Sequence, residues 1–240
     1  QTYGWGARWD WGAQDVRHNR GGGVTYTLSR DGTPTLEISL RISGEHNVLN
    51  SLAACAAVNA IGVPLEAASQ ALKSFKGAKR RLQHMGSVPA IGVDIFDDYG
   101  HHPREIAATL GTLRKMFPER RLMTVFQPHR FTRTAAMYRE FAEVLSMSDG
   151  IFLLPVFPAD EMPIEGVSST LIGDILKQKG HKGFDFCSDM EDVLTKVSAN
   201  VNEGDVIATI GAGDVSIVGE KIQQRLEGKG VTSDAMAVKA

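Results

Sequence analysis

From about residue 88 the chain repeats one unit, a short apolar run followed by a segment with helical spacing. That alternation restricts the fold more than any other feature. The runs are "AIGVDIFDDYG", "RLMTVFQP", "GIFLLPVF", "GFDFC" and "DVIATIG". Ile106, Leu110 and Leu113 share one face of the first intervening segment, which predicts a helix over 103–116. Further helices are expected near 134–147, 168–179, 189–201 and 214–227, the third of them opened by a capping box from Ser188 to Glu191. Strand and helix in steady alternation mean crossover connections and a parallel sheet covered on both faces. Residues 87–228 therefore read as a complete α/β domain, Rossmann-like, with 229–240 as a flexible tail.

The upstream pattern differs. Residues 1–23 carry six glycines and all three tryptophans without a clear period, and read as a lead-in with at most an edge strand. "VTYTLSR" and "TLEISLRI" alternate around the turn "DGTP", which predicts a strand pair over 24–42. From His46 the spacing turns helical, with Leu49, Leu52, Ala53, Ala56 and Ala60 as the expected stripe and Gly62 as its stop. A second helix is expected over 64–75. Residues 1–86 read as the end of another α/β domain, and a first residue of Gln rather than Met fits a chain that is part of a longer protein.

Composition narrows the function classes. A net charge of −2 with 22% charged residues gives no whole-chain case for nucleic acid or an anionic membrane. Cys55 and Cys187 stand far apart in the chain, so a disulfide framework or a cysteine zinc site is not expected, and a reducing, cytoplasmic setting fits. No apolar run approaches the roughly 20 residues of a membrane span, and the opening lacks the pattern of a signal peptide.

In parallel α/β sheets ligands bind at the carboxyl ends of the strands. Three polar motifs fall there: "DDYGHHP", "QPHRFTRT" and "GAGD". In the first, Pro103 at the opening of a helix aims free N–H groups at whatever lies beyond, and Asp98 could hold ribose hydroxyls or a cation. His101 and His102 are adjacent, so at most one faces a given ligand. In the second, Arg130 and Arg133 are three apart, and one helical turn would present both to a single anion such as a carboxylate. The third is a lone glycine-rich turn and could simply be a tight strand-to-helix turn. Upstream, Asn47 and Asn50 share a helix face, which suits a purine edge or merely a solvated face. Lys79, Arg80 and Arg81 follow a glycine and suit phosphate or a solvated basic patch. Two Asp and two His could also hold metals for a phosphoesterase, but Asp149, Asp185 and Asp205 do not complete a cluster, and no metal site is expected.

Taken jointly, "GEHNVLNSLAA", "KGAKRRL", "DDYGHHPREIAATL" and "VFQPHRFTRT" resemble the Mur ligase family, in order and spacing from about Gly44 to Gly219. The form of the last motif is similar to the alanine-adding branch rather than to the muropeptide-recycling one. The resemblance implies a central ATPase domain ending near residue 86 and a C-terminal domain that brings in the amino acid. It implies ATP and Mg²⁺ as cofactors, with the magnesium ligands and phosphate loop upstream of this chain, and UDP-N-acetylmuramate and L-alanine as substrates. His46, Asn47 and Asn50 match the adenine-side motif, Arg81 the arginine reaching the phosphates, and Asp98 the aspartate near the ribose. Tyr99, His101, His129, Arg130 and Arg133 match positions near the acyl substrate and the incoming amino acid. Arg81, Asp98 and His101 are the candidate catalytic residues. The implied chemistry is amide formation through an acyl phosphate after domain closure, with this chain inactive alone. A nucleotide-binding module without turnover remains the non-enzymatic alternative.

Overall fold

The computed structural model describes residues 1–19 and 23–237, so residues 20–22 of the expected lead-in and 238–240 of the expected tail lie outside it. The chain divides into two compact units, 1–78 and 79–240.

The first unit is a four-stranded sheet with two helices. Its strands are β1 (Tyr3–Trp5), β2 (Trp11–His18), β3 (Val24–Arg30) and β4 (Thr33–Leu40), in that spatial order. The first two run parallel and the others pair antiparallel. Helices α1 (Glu45–Ala60) and α2 (Leu65–Ser74) follow. The glycine-rich opening is thus two ordered strands rather than a loose lead-in. Trp11 is fully buried beside Val24, Tyr26, Leu28, Val48 and Leu52, and one such indole supplies enough apolar area to fix the strand that carries it. The stripe on α1 is rotated from the expected one. Val48, Ser51, Leu52 and Cys55 are buried, while Leu49 and Ala56 only flank the core and Ala60 is exposed. The Ser51 hydroxyl lies inside because it meets the Tyr26 hydroxyl at 2.7 Å.

The second unit is a six-stranded sheet. Its elements are β5 (Gln83–Val88), β6 (Val93–Asp98), α3 (Pro103–Met116), β7 (Leu122–Phe126), α4 (Phe131–Leu145), β8 (Gly150–Leu153), α5 (Thr170–Gln178), β9 (Phe184–Phe186), α6 (Met190–Asn200), β10 (Val206–Ile210) and α7 (Ser216–Ala237). The strand order is β5-β6-β10-β7-β8-β9, parallel except for β5. The Rossmann-like α/β reading holds, with one antiparallel edge strand added where a connection was expected. Apolar side chains of α3, α4 and α5 pack on one face, and those of α6 and α7 on the other.

Two local expectations are corrected. The cap of α6 is Asp189, not Ser188: its carboxylate accepts the N–H groups of Glu191 and Asp192 at 2.9 and 3.0 Å. And α7 continues past Gly228 to Ala237, through most of the segment expected to be a flexible tail. Among the described residues no helix is long and apolar enough to cross a membrane.

Candidate functional site

The sheet register decides where the motifs meet. Asp98, Ile210 and Phe126 are directly paired, so β6, β10 and β7 end level with one another. From that row "YGHHP" leads to α3 and "QPHRF" to α4 on one face, while "GAGD" leads from the middle strand to α7 on the other. Neighbouring connections that part to opposite faces leave a crevice at the strand ends, where sheets of this type bind ligands.

Rings from two motifs form a row there. Tyr99 meets His101 edge-on at 5.6 Å, His101 lies 6.2 Å from His129, and His129 stacks on Phe157 at 5.5 Å. Arg133 donates to the His129 carbonyl at 3.2 Å and faces its Nδ1 at 3.3 Å. Since a guanidinium can only donate, that contact leaves Nδ1 as acceptor and the proton on Nε2. Burial holds the His129 pKa below the ordinary imidazole value, and the charges of Arg133, His101 and Arg130 act the same way. His129 is thus a neutral ring beside positive charge.

Both acids of "DDYGHHP" are turned to structural use. Asp97 accepts Arg80 Nε at 2.9 Å and the Thr209 hydroxyl at 2.7 Å. Asp98 accepts the N–H groups of Leu82 and Gly100, each at 2.7 Å. Its burial raises the carboxyl pKa, against the pull of those hydrogen bonds. With these oxygens occupied, a metal site built on the two acids has little to work with. Among the described residues no three His, Cys, Asp or Glu side chains are grouped to hold a metal ion.

The neighbouring arginines divide their work. Arg80 also donates to the Gly211 carbonyl at 2.5 Å and lies over the Tyr99 ring at 4.9 Å, so it locks three chain segments together. Arg81 keeps a half-exposed side chain, with Glu105 at 3.8 Å as its ion-pair partner. It is the one of the pair able to meet a ligand.

The helix N-termini do not stand open as expected. Glu105 accepts the N–H groups of His101 and His102 at 3.0 and 3.2 Å, and the His102 ring accepts from Arg104 at 3.3 Å. Burial pushes the Glu105 carboxyl up, but those hydrogen bonds and the nearby positive charges outweigh it, and the net shift is downward. At α4 the carboxylate is Glu161, which accepts the N–H of Thr132 at 3.0 Å. The helix begins at Phe131, so Arg130 lies outside its first turn and pairs with Glu161 at 3.9 Å, while Arg133 lies along His129. The two arginines therefore have different partners. The third motif is a packing turn: a Cβ on Gly213 would come within 2.5 Å of the Gln127 side chain and 2.7 Å of the Phe157 ring. Glu105, Gln127, Phe157 and Glu161 carry much of this arrangement and were not singled out as site residues, while Arg80, expected with Lys79 and Arg81 to suit phosphate, is held by internal partners instead. Only Glu105 had a local signal, three residues after the cap.

The first unit holds its own polar group. Gly44 opens α1 at φ 105°, and the His46 ring lies close enough that a Cβ on Gly44 would come within 2.6 Å of it. Asn47 gives its amide to the Ser43 carbonyl at 2.7 Å, and Asn50 is exposed one turn later.

The family model described as "Mur ligase, glutamate ligase domain" matches residues 80–213. The chain is 38% identical over 229 residues to a UDP-N-acetylmuramate–L-alanine ligase of Syntrophobacter fumaroxidans, covering 95% of this chain and 48% of that protein. It is 41% identical over 221 residues to the protein of the same name from Desulfatibacillum aliphaticivorans, covering 91% and 47%. Among solved structures it is similar to UDP-N-acetylmuramate-alanine ligase from Thermotoga maritima, with a TM-score of 0.80, 26% identity, and coverage of 95% of this chain and 48% of that one. The chain thus spans about half the length of the curated relatives it matches.

Proposed function

The chain belongs to the Mur ligase family, and on that premise we propose that it is the amino-acid-receiving part of a UDP-N-acetylmuramate–L-alanine ligase. The observation that carries this reading is the row formed by Tyr99, His101 and His129, with Arg133 alongside, at the strand ends. An α-amino acid presents a carboxylate and an amine on one carbon. Arg133 supplies a fixed positive fork for the carboxylate. The neutral His129 supplies a further donor at Nε2, and His101 lies on the side toward Tyr99. Held by its carboxylate, the amino acid keeps its amine free to attack an activated acyl group. Positioning of this kind converts an encounter of two molecules into a reaction within one complex.

In the first unit, taken by itself, the resemblance makes His46 and Asn50 nucleotide base-edge partners, with Asn47 ordering the turn beneath them. In the second unit, taken by itself, it makes Arg81 a phosphate partner, with Asp98 holding the adjoining backbone at Leu82. ATP, when bound, supplies the phosphoryl group that converts the sugar's carboxylate into an acyl phosphate. The Mg²⁺ implied by the resemblance has no ligand set among the described residues, and the chemistry assigned to this chain is binding and orientation.

The test is phosphate release dependent on ATP, UDP-N-acetylmuramate and L-alanine. It is measured on this chain and on the chain expressed with any coding sequence upstream of it. Activity that needs both substrates in the longer form supports the reading. Metal-dependent phosphoester cleavage by the 240-residue chain alone, without ligase activity in either form, overturns it.

A further inference from the structure

Glu161 stands in the loop after β8, remote in sequence from the motifs, and its carboxylate reaches the start of α4. It accepts the Thr132 N–H at 3.0 Å and the Thr132 hydroxyl at 2.6 Å, and lies 3.9 Å from the Arg130 guanidinium. The first turn of a helix carries unpaired N–H groups and a positive partial charge, and in a ligand site it would draw an anion. Here the chain's own carboxylate already fills that place. Hydrogen bonds from Thr132 hold the Glu161 carboxyl below its usual range, as expected of an anion that stays charged.

The same loop grips the histidine segment at further points. Arg130 donates its N–H to the Phe157 carbonyl at 2.8 Å, and Phe157 donates to the Pro128 carbonyl at 2.8 Å. The Phe157 ring stacks on His129. The backbone is constrained on both sides of this contact, with Arg130 at φ 74° and Ala159 and Asp160 at φ 47° and 68°. Residues with side chains hold such angles only where their surroundings enforce them.

We propose that Glu161 is a positioning residue for the amino-acid carboxylate. It occupies the α4 N-terminus in the substrate's place and fixes the segment 129–133, so that the carboxylate is read by His129 and Arg133 rather than by the helix N–H groups. The proposal rests on the preceding reading that the amino acid binds here.

The experiment compares wild type, Glu161→Ala and Glu161→Gln in the longer, ligase-active form, with initial rates measured against each substrate. Glu161→Ala is expected to raise KM for L-alanine about tenfold while kcat and KM for ATP stay within about twofold. Glu161→Gln, whose amide oxygen can still accept from Thr132, is expected to return KM to within about threefold of wild type. An unchanged KM for L-alanine in Glu161→Ala, or an equal loss in every parameter, overturns the proposal. Should wild type show no ligase activity, the reading of function falls by itself. The positioning claim is then decided on the 240-residue chain by amide hydrogen exchange. Faster exchange at Thr132 and shifted His129 ring resonances in Glu161→Ala, with β7 unchanged, uphold the contact; identical exchange and resonances contradict it.

Discussion

Adjacent residues with the same charge have opposite duties here. Arg80 is spent on Asp97, Gly211 and the Tyr99 ring, whereas Arg81 remains half-exposed. Removing one partner of an inward ion pair leaves the other charge without compensation, so Arg80→Ala should lower unfolding stability by about 3 kcal/mol. Arg81→Ala should change it by no more than about 0.5 kcal/mol. Urea unfolding of the two variants checks this contrast, and equal losses would contradict the division of roles. The histidine gives a pH test. Because the folded His129 pKa lies below the ordinary 6.5, the unfolded chain binds the proton more readily. The stability this provides is complete above 6.5 and is lost as pH falls through the folded value. Between about pH 7.5 and about pH 5, wild type should therefore lose more stability than His129→Gln does, as read from unfolding midpoints. The sequence showed which residue types gather at the strand ends but not what they bind within the chain. The partners of Asp98 come from Leu82 and Gly100, and that of Arg80 from Gly211, a pairing that chain spacing cannot reveal.

At the scale of elements, α3 was legible to the residue because Pro103 fixes its start and Ile106, Leu110 and Leu113 fix its face. Other elements were hidden for identifiable reasons. In "QHMGSV" polar residues and a glycine mask β5, which forms because it pairs along β6 at the sheet edge. In β2 the buried positions Trp11, Gly12 and Ala13 are consecutive, so no alternation announces the strand. The α6 cap was misplaced because Ser188 and Asp189 can both cap, and only geometry selects the aspartate. Asp189→Ala should therefore lower the thermal midpoint of the chain clearly more than Ser188→Ala, and the reverse order would restore the expected capping box. In the first unit, Gly44→Ala places a Cβ against the His46 ring at φ 105°. It should cost about 1–2 kcal/mol in unfolding stability and shift the His46 ring resonances, both measurable on the isolated chain.

At the scale of the whole molecule, two units carry separate sets of polar residues, and the proposed function gives each set a role. The first presents His46 and Asn50 at the start of a helix, and the second gathers Tyr99, His101, His129 and Arg133 where three strands end level. The strand–helix alternation was enough to read the second fold, because a parallel sheet with helices on both faces buries such short apolar runs. The first unit was less legible because its sheet begins in a glycine-rich stretch whose largest buried side chain is one indole, Trp11. The central claim is that the second unit recognises an amino acid through its carboxylate. Its most direct test is the rate of the longer form with L-alanine and with L-alaninamide, in wild type and in Arg133→Ala. If His129 and Arg133 read the carboxylate, wild type should prefer L-alanine by about 100-fold in kcat/KM, and the variant should lose most of that preference. A preference left intact in Arg133→Ala would contradict the assignment and place the carboxylate elsewhere.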